Sequence, residues 1–255
     1  MNSVVIKVGG NELDDPAFVE RFIAVLVRMT DPRPVLVHGG GKEIAALQKQ
    51  LGLVPAFVEG LRVTDAESLR VAEMVLSGTV NKRLVARLVA GGAAAVGLSG
   101  VDLGLIRVEK MLHAAGDLGF VGAVKEINAQ GLQALLTSGF LPVVSPISLG
   151  FDGQTYNVNA DHAALGLARG LGARSLLLVT NVAGVMANGC VLERLGAAEA
   201  EALIADGTIS GGMVPKVRSA LEAVSAGVPE AVITDVAGLE AIAEGGRAGT
   251  AVVRE

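Results

Sequence analysis

Val4-Val5-Ile6-Lys7-Val8-Gly9-Gly10 is a β-branched run stopped by paired glycines, and Val35-Leu36-Val37-His38-Gly39-Gly40-Gly41-Lys42 repeats the arrangement further along. β-Branched residues favour extended backbone, and glycine pairs permit the tight turn that ends it. Between the two runs, Phe18, Phe22, Val25 and Leu26 recur at helical spacing, and helical periodicity resumes over Lys42–Leu51. Two strand–glycine–helix units in succession predict an α/β fold built around an open, largely parallel central sheet with helices on both faces.

Composition agrees. The 255 residues are 51% hydrophobic but only 3% aromatic, without tryptophan, so the core is aliphatic, as buried parallel strands require. Net charge is −5 and no basic block occurs, which argues against a nucleic-acid partner or an anionic membrane surface. A single cysteine, Cys190, excludes an intrachain disulfide framework, and no Cys/His group has metal-ligand spacing, so no protein-held metal is expected. His38, His113 and His162 are scattered and read as structural or surface residues. Lys7 interrupts the first apolar run, so no signal peptide opens the chain, and a cytoplasmic protein is expected.

Beyond the second unit, Glu59 to Asp65 reads as a loop whose Thr64 or Asp65 caps a helix through Leu76, followed by a separate helix over Asn81–Ala90. Ala94–Leu98 and Leu141–Val144 read as buried strands, and Leu105–Lys125 as short strands and turns lying over a site. After Gly170-Leu171-Gly172, a plausible hinge, come a strand at Ser175–Val179, helices at Ala197–Asp206 and Val217–Ala226, a strand at Ala231–Thr234, a helix at Leu239–Glu244 and a closing strand at Thr250–Val253. Two lobes on one sheet are expected, residues 1–172 and 173–255.

The chemistry concentrates in three stretches. Tyr156-Asn157-Val158-Asn159-Ala160-Asp161 runs into an Ala/Leu-rich helix, and a helix start is a natural place to receive an anion. Lys7 beside Gly9-Gly10 and Lys216 beside Gly211-Gly212 each bring one cation to a glycine pair. Glycine turns after strands let backbone N–H groups approach phosphate oxygens. The Gly39-Gly40-Gly41-Lys42 run is not a P-loop, because Glu43 stands where the pattern needs Ser or Thr. No dinucleotide fingerprint and no nucleophile elbow occurs. If the acceptor is a carboxylate, it is already ionised at neutral pH (reference pKa about 4.3) and needs no general base. Two lysines, Mg²⁺, glycine amides and a helix N-terminus would then supply positioning and charge neutralisation.

Together VIKVGG, VHGGGK, GLRVTD, LGFVG, YNVNAD and GTISGGMVPK resemble, in order and spacing, the amino-acid kinase family, over nearly the whole chain. The resemblance implies the amino-acid kinase fold and ATP-dependent phosphorylation of the γ-carboxylate of N-acetyl-L-glutamate, within arginine biosynthesis. It implies that residues 1–172 bind the acyl amino acid and dimerise, and that residues 173–255 bind the nucleotide. Lys7 and Lys216 match the lysines that stabilise the transferring phosphoryl group, and Asp161 the aspartate that holds them. Gly40, Gly41, Arg62 and Asn157 match acetylglutamate contacts, with Arg62 on the α-carboxylate. Gly9, Gly10, Thr180, Asn181, Val182, Gly184, Val185, Thr208, Ile209 and Ser210 match nucleotide contacts, with Mg²⁺ carried on ATP. Asn181 departs from the usual aspartate of its turn. Two rivals are a kinase of carrier-linked aminoadipate or glutamate and a non-catalytic sensor on the same fold. Arginine-inhibited members carry an extra N-terminal helix, whereas only Met1 to Ser3 precede the first strand here, so an arginine-insensitive homodimer is expected.

Overall fold

The computed structural model describes residues 2–54, 56–58, 61–114 and 116–254, with the side chains of Phe57, Leu61 and Arg62 outside that description. Its spine is a sheet whose central strands run parallel in the order Glu230–Thr234, Ser175–Val179, Ser3–Val8, Arg33–His38 and Leu141–Gly150. Antiparallel pairing enters only at the flanks, where Thr250–Val253 meets Glu230–Thr234, Gly122–Ile127 meets Ile106–Lys110, and Thr155–Asn157 meets Leu141–Gly150.

Ser3–Val8 sits in the middle, with Val4 to Val8 paired on both sides; Ile6, for instance, lies between Leu36 and Leu177. Because side chains alternate, Val4, Ile6 and Val8 face one layer and Val5 and Lys7 the other. The first layer packs Pro16–Arg28, the 66–90 helical region and Val236–Ala243 through Phe22, Leu26, Leu84 and Leu239. The second packs Ala160–Leu171 and Met213–Ser225 through Leu167, Ala163, Val217 and Ala220. Each Val, Leu or Phe among them contributes about 1.5–3 kcal/mol by leaving water, and each Ala less.

Among the elements that differ from the sequence reading, three bear on the site. The helices expected to end at Leu76 and restart at Asn81 are one continuous helical region, Ala66–Glu73 and Asn81–Ala90 joined by a π-helical stretch over Met74–Val80. Ser77, Gly78 and Thr79 are weak α-helix formers, but the wider turn carries them, and Ser77 Oγ lies 2.8 Å from Ser145 Oγ. The strand expected over Leu141–Val144 continues to Gly150, despite Pro142 and Pro146. The helix expected from Val217 begins at Met213, because Pro215 in its first turn has no N–H to satisfy.

His38 closes the second strand inside the protein. Its Nδ1 lies 3.0 Å from the Gly39 carbonyl, which can only accept, and its Nε2 lies 3.2 Å from Asn81 Nδ2, which can only donate. The ring is therefore neutral with the proton on Nδ1. Complete burial pushes its pKa down from 6.5 to about 4, with Arg83 and Lys82 acting in the same direction and the Gly39 hydrogen bond opposing them. The folded value lies below the unfolded one, so this contribution is fully present above pH 6.5 and is lost as pH falls toward 4. It amounts to about 3 kcal/mol. Urea unfolding from pH 7 to 4.5 is expected to show a steeper loss for the wild type than for His38→Gln; equal slopes would contradict this account.

Candidate active site

The carboxyl ends of the parallel strands open into a cleft of about 320 Å³, and ligands of open α/β sheets bind at such ends. Its floor is Gly9, Gly10, Gly39, Gly40 and Gly41, and its wall is Asn157 to His162, with Lys7 between them. Ile44, Leu76, Met111, Val121 and Pro146 complete the lining.

The two glycine turns touch backbone to backbone. A Cβ on Gly10 would stand 3.2 Å from the Gly40 Cα and 3.3 Å from the Gly40 and Gly41 nitrogens. A Cβ on Gly40 would stand 2.8 Å from Leu76 Cδ2, so the π-helical stretch seals the turn from behind. These glycines are there for close approach.

Lys7 reaches the cleft because it shares the face of Val5, toward helix Ala160–Leu171. Its ammonium forms a 2.9 Å ion pair with Asp161 Oδ1, the side chains being only 19% and 29% exposed. Asn159 caps this helix by accepting the Asp161 backbone N–H at 2.7 Å, which fixes the point from which the carboxylate leaves the chain. Asn157, the last residue of the strand Thr155–Asn157, donates from Nδ2 to Thr64 Oγ1 at 3.3 Å. The hairpin expected over a site is present, with Met111 and Val121 at the cleft edge.

Lys216 belongs to a second cluster. It lies in the first turn of helix Met213–Ser225 and donates to Thr180 Oγ1 at 2.6 Å. Among the described residues no ion pair joins it to Asp161; each lysine has its own partner. Asn181 Oδ1 and Glu12 Oε1 are the other neighbours of that hydroxyl, at 3.2 and 3.3 Å. Sequence reasoning missed Glu12, a single acid in the four-residue helix Gly10–Leu13, which carries no periodic or spacing signal.

Of the other expected nucleotide contacts, Asn181, Val182 and Gly184 lie on the loop after Ser175–Val179. A Cβ on Gly184 would meet Val191 Cγ1 at 2.6 Å and Thr250 Oγ1 at 2.7 Å, and the buried Val185 donates its N–H to Thr250 Oγ1 at 2.8 Å. This loop is therefore anchored on the closing strand. Thr208 and Ser210 are exposed while Ile209 packs into the core. Arg62 has its backbone in the two-residue strand Leu61–Arg62; its side chain, like Glu59 and Gly60 beside it, lies outside the described residues.

A cleft that brings a fixed ammonium to two glycine turns and a helix start can hold an anion, which is equipment a phosphoryl-transfer protein needs. The chain belongs to the amino acid kinase family, whose model matches residues 2–235. It is 57% identical over 237 residues to the acetylglutamate kinase of Roseiflexus castenholzii, covering 93% of this chain and 91% of that one. The acetylglutamate kinase of Chloroflexus aggregans is 50% identical over 241 residues, 94% of each chain. A crystal structure from Streptococcus mutans UA159 superposes with a TM-score of 0.78 at 29% identity, covering 98% of both chains.

The contact between glycine turns yields a direct expectation. Gly10→Ala forces backbone apart where no flexible side chain can yield, and small misplacements at a reacting centre are costly. Phosphoryl-transfer kcat/KM is expected to fall on the order of tenfold or more. Urea stability, measured in parallel, is expected to change by only about 1 kcal/mol. Unaltered kinetics would mean that the spacing of the turns does not matter.

Proposed function

We propose that this chain transfers the γ-phosphoryl group of ATP to the γ-carboxylate of N-acetyl-L-glutamate, giving N-acetyl-L-glutamyl 5-phosphate in arginine biosynthesis. The observation that carries this reading is the Lys7–Asp161 pair in a cleft floored by two abutting glycine turns. Identity of 57% to an acetylglutamate kinase over most of both chains supports the choice of acceptor.

The acceptor carboxylate is ionised at neutral pH and attacks without a general base, so the difficulty is repulsion between two anions. In this reading Lys7 and Lys216 stand on either side of the transferring group and neutralise the charge on its oxygens, while the N–H groups of Gly9, Gly10, Gly40 and Gly41 fix the reactants in line. Asp161 keeps the Lys7 ammonium aimed at the cleft. Asn157 and Arg62 hold acetylglutamate, Arg62 through its α-carboxylate. Thr180, Asn181, Val182, Gly184, Val185, Thr208, Ile209 and Ser210 line the nucleotide side. Residues 1–172 then form the acyl-amino-acid lobe and 173–255 the nucleotide lobe.

Mg²⁺ enters as part of the MgATP substrate. Among the described residues no three His, Cys, Asp or Glu side chains gather as a metal cage. No described helix is long and apolar enough to cross a membrane. A cytoplasmic homodimer completes the reading, on the strength of the family resemblance.

The test is acyl-phosphate trapping with hydroxylamine in the presence of MgATP. N-Acetylglutamate is expected to be the preferred acceptor over glutamate, aspartate and aminoadipate; preference for another acceptor would overturn the assignment. Lys7→Ala and Lys216→Ala are expected to lower kcat by on the order of a hundredfold or more, with little change in the KM for acetylglutamate. Asp161→Asn is expected to act like a milder Lys7 variant. A lysine whose loss leaves turnover intact has no part in the chemistry.

A further inference from the structure

We propose that Glu12 is the positioning residue for Lys216 and acts through the Thr180 hydroxyl, so that each lysine is held by a carboxylate of its own. The proposal rests on the reading of Lys216 as a phosphoryl-site cation and adds a residue to it.

Thr180 directly follows the strand Ser175–Val179 and is 2% exposed, so its hydroxyl needs partners from the protein. The ammonium of Lys216 has only donors, so at 2.6 Å the Thr180 oxygen must be the acceptor. The single hydroxyl proton is then directed elsewhere, and two acceptors are within reach: Glu12 Oε1 at 3.3 Å and Asn181 Oδ1 at 3.2 Å. A carboxylate accepts more strongly than an amide, and an ammonium at the other end polarises the hydroxyl further. The result is a chain of ammonium, hydroxyl and carboxylate that fixes where Lys216 points.

Glu12 is placed for this task by the backbone. It sits on the short helix Gly10–Leu13 that follows the first strand, and its Oε2 occupies the space beside Gly9 where any Cβ would stand. The Lys7 ammonium is 3.9 Å from the same point. Glu12 therefore reaches from the first glycine turn to the cluster that holds the second lysine. Glu12 is not among the residues lining the cleft, and its hydrogen-bond link to Lys216 runs through Thr180.

A merely structural Glu12 predicts something different, which kinetics of the full-length chain can separate. Glu12→Gln is expected to lower kcat on the order of tenfold, leaving the KM for acetylglutamate within about twofold. In a Thr180→Val background the same substitution is expected to have no further effect, because the link is already cut. Asn181→Asp restores an anion beside the same hydroxyl and is expected to return most of the turnover lost in Glu12→Gln. An unchanged kcat in Glu12→Gln, or a loss that persists undiminished in both backgrounds, overturns the proposal.

A second readout does not need activity. In protein labelled with ¹⁵N-lysine, the Lys216 ammonium signal, assigned by its loss in Lys216→Arg, is expected to shift in Glu12→Gln and to move back on adding Asn181→Asp. A signal indifferent to Glu12 overturns the proposal even if the wild type proves to act on another acceptor. Inactivity of the wild type toward acetylglutamate, with the signal responding as described, overturns the acceptor assignment and leaves the Glu12 link standing.

Discussion

A lysine in the central strand of a sheet covered on both faces is the constraint from which the rest follows. Lys7 lies between Val37 and Leu178, with strands on either side and helix Ala160–Leu171 above it. Taking such a charge out of water costs several kcal/mol unless a counter-charge with good geometry offsets it. Asp161 provides that charge, and the Asn159 cap fixes where it starts. The helix must then begin directly over the end of the first strand. Farther along, its glycines let it lie close on the flanking strand Gly122–Ile127: a Cβ on Gly166 would meet Val124 Cγ1 at 2.8 Å, and one on Gly170 would meet Ile127 Cβ at 2.6 Å. The cleft's wall, floor and charge are thus set by one local requirement.

The same geometry explains how a site with few titratable groups can perform group transfer. The one fully buried histidine, His38, is kept neutral by its burial and is used up by the Gly39 carbonyl and Asn81, holding the second glycine turn from below. It is no general base. Beside His162 in its wall, the cleft presents the Lys7 ammonium paired with Asp161, glycine backbone and a helix start, parts that stabilise charge without moving protons. A carboxylate acceptor is the acceptor such a site suits.

Much of this was legible in the sequence, for identifiable reasons. The central strands announce themselves because β-branched runs buried on both faces have no polar alternation to confuse them. Lys7 and Asp161 stand out as charges at the ends of apolar elements. The start of the helix that carries Lys216 was misread because Pro215 signals a break, whereas in a first turn it breaks nothing. The continuous helical region from Ala66 to Ala90 was hidden by Ser77-Gly78-Thr79, which depress α-propensity but fit a π-turn held by Ser145. Glu12 was invisible. Its meaning comes from Thr180, far away in the chain, and no local pattern encodes a contact of that kind.

The central claim is that the two lysines, held separately in this structure, converge on one transferring group. A crystal structure with N-acetylglutamate, ADP, Mg²⁺ and aluminium fluoride tests it most directly. The account predicts a planar or near-planar fluoride between the acceptor γ-carboxylate and the ADP β-phosphate, with the Lys7 and Lys216 ammonium groups both within hydrogen-bond reach. A fluoride contacted by only one of them, with the other lysine turned away, would contradict it.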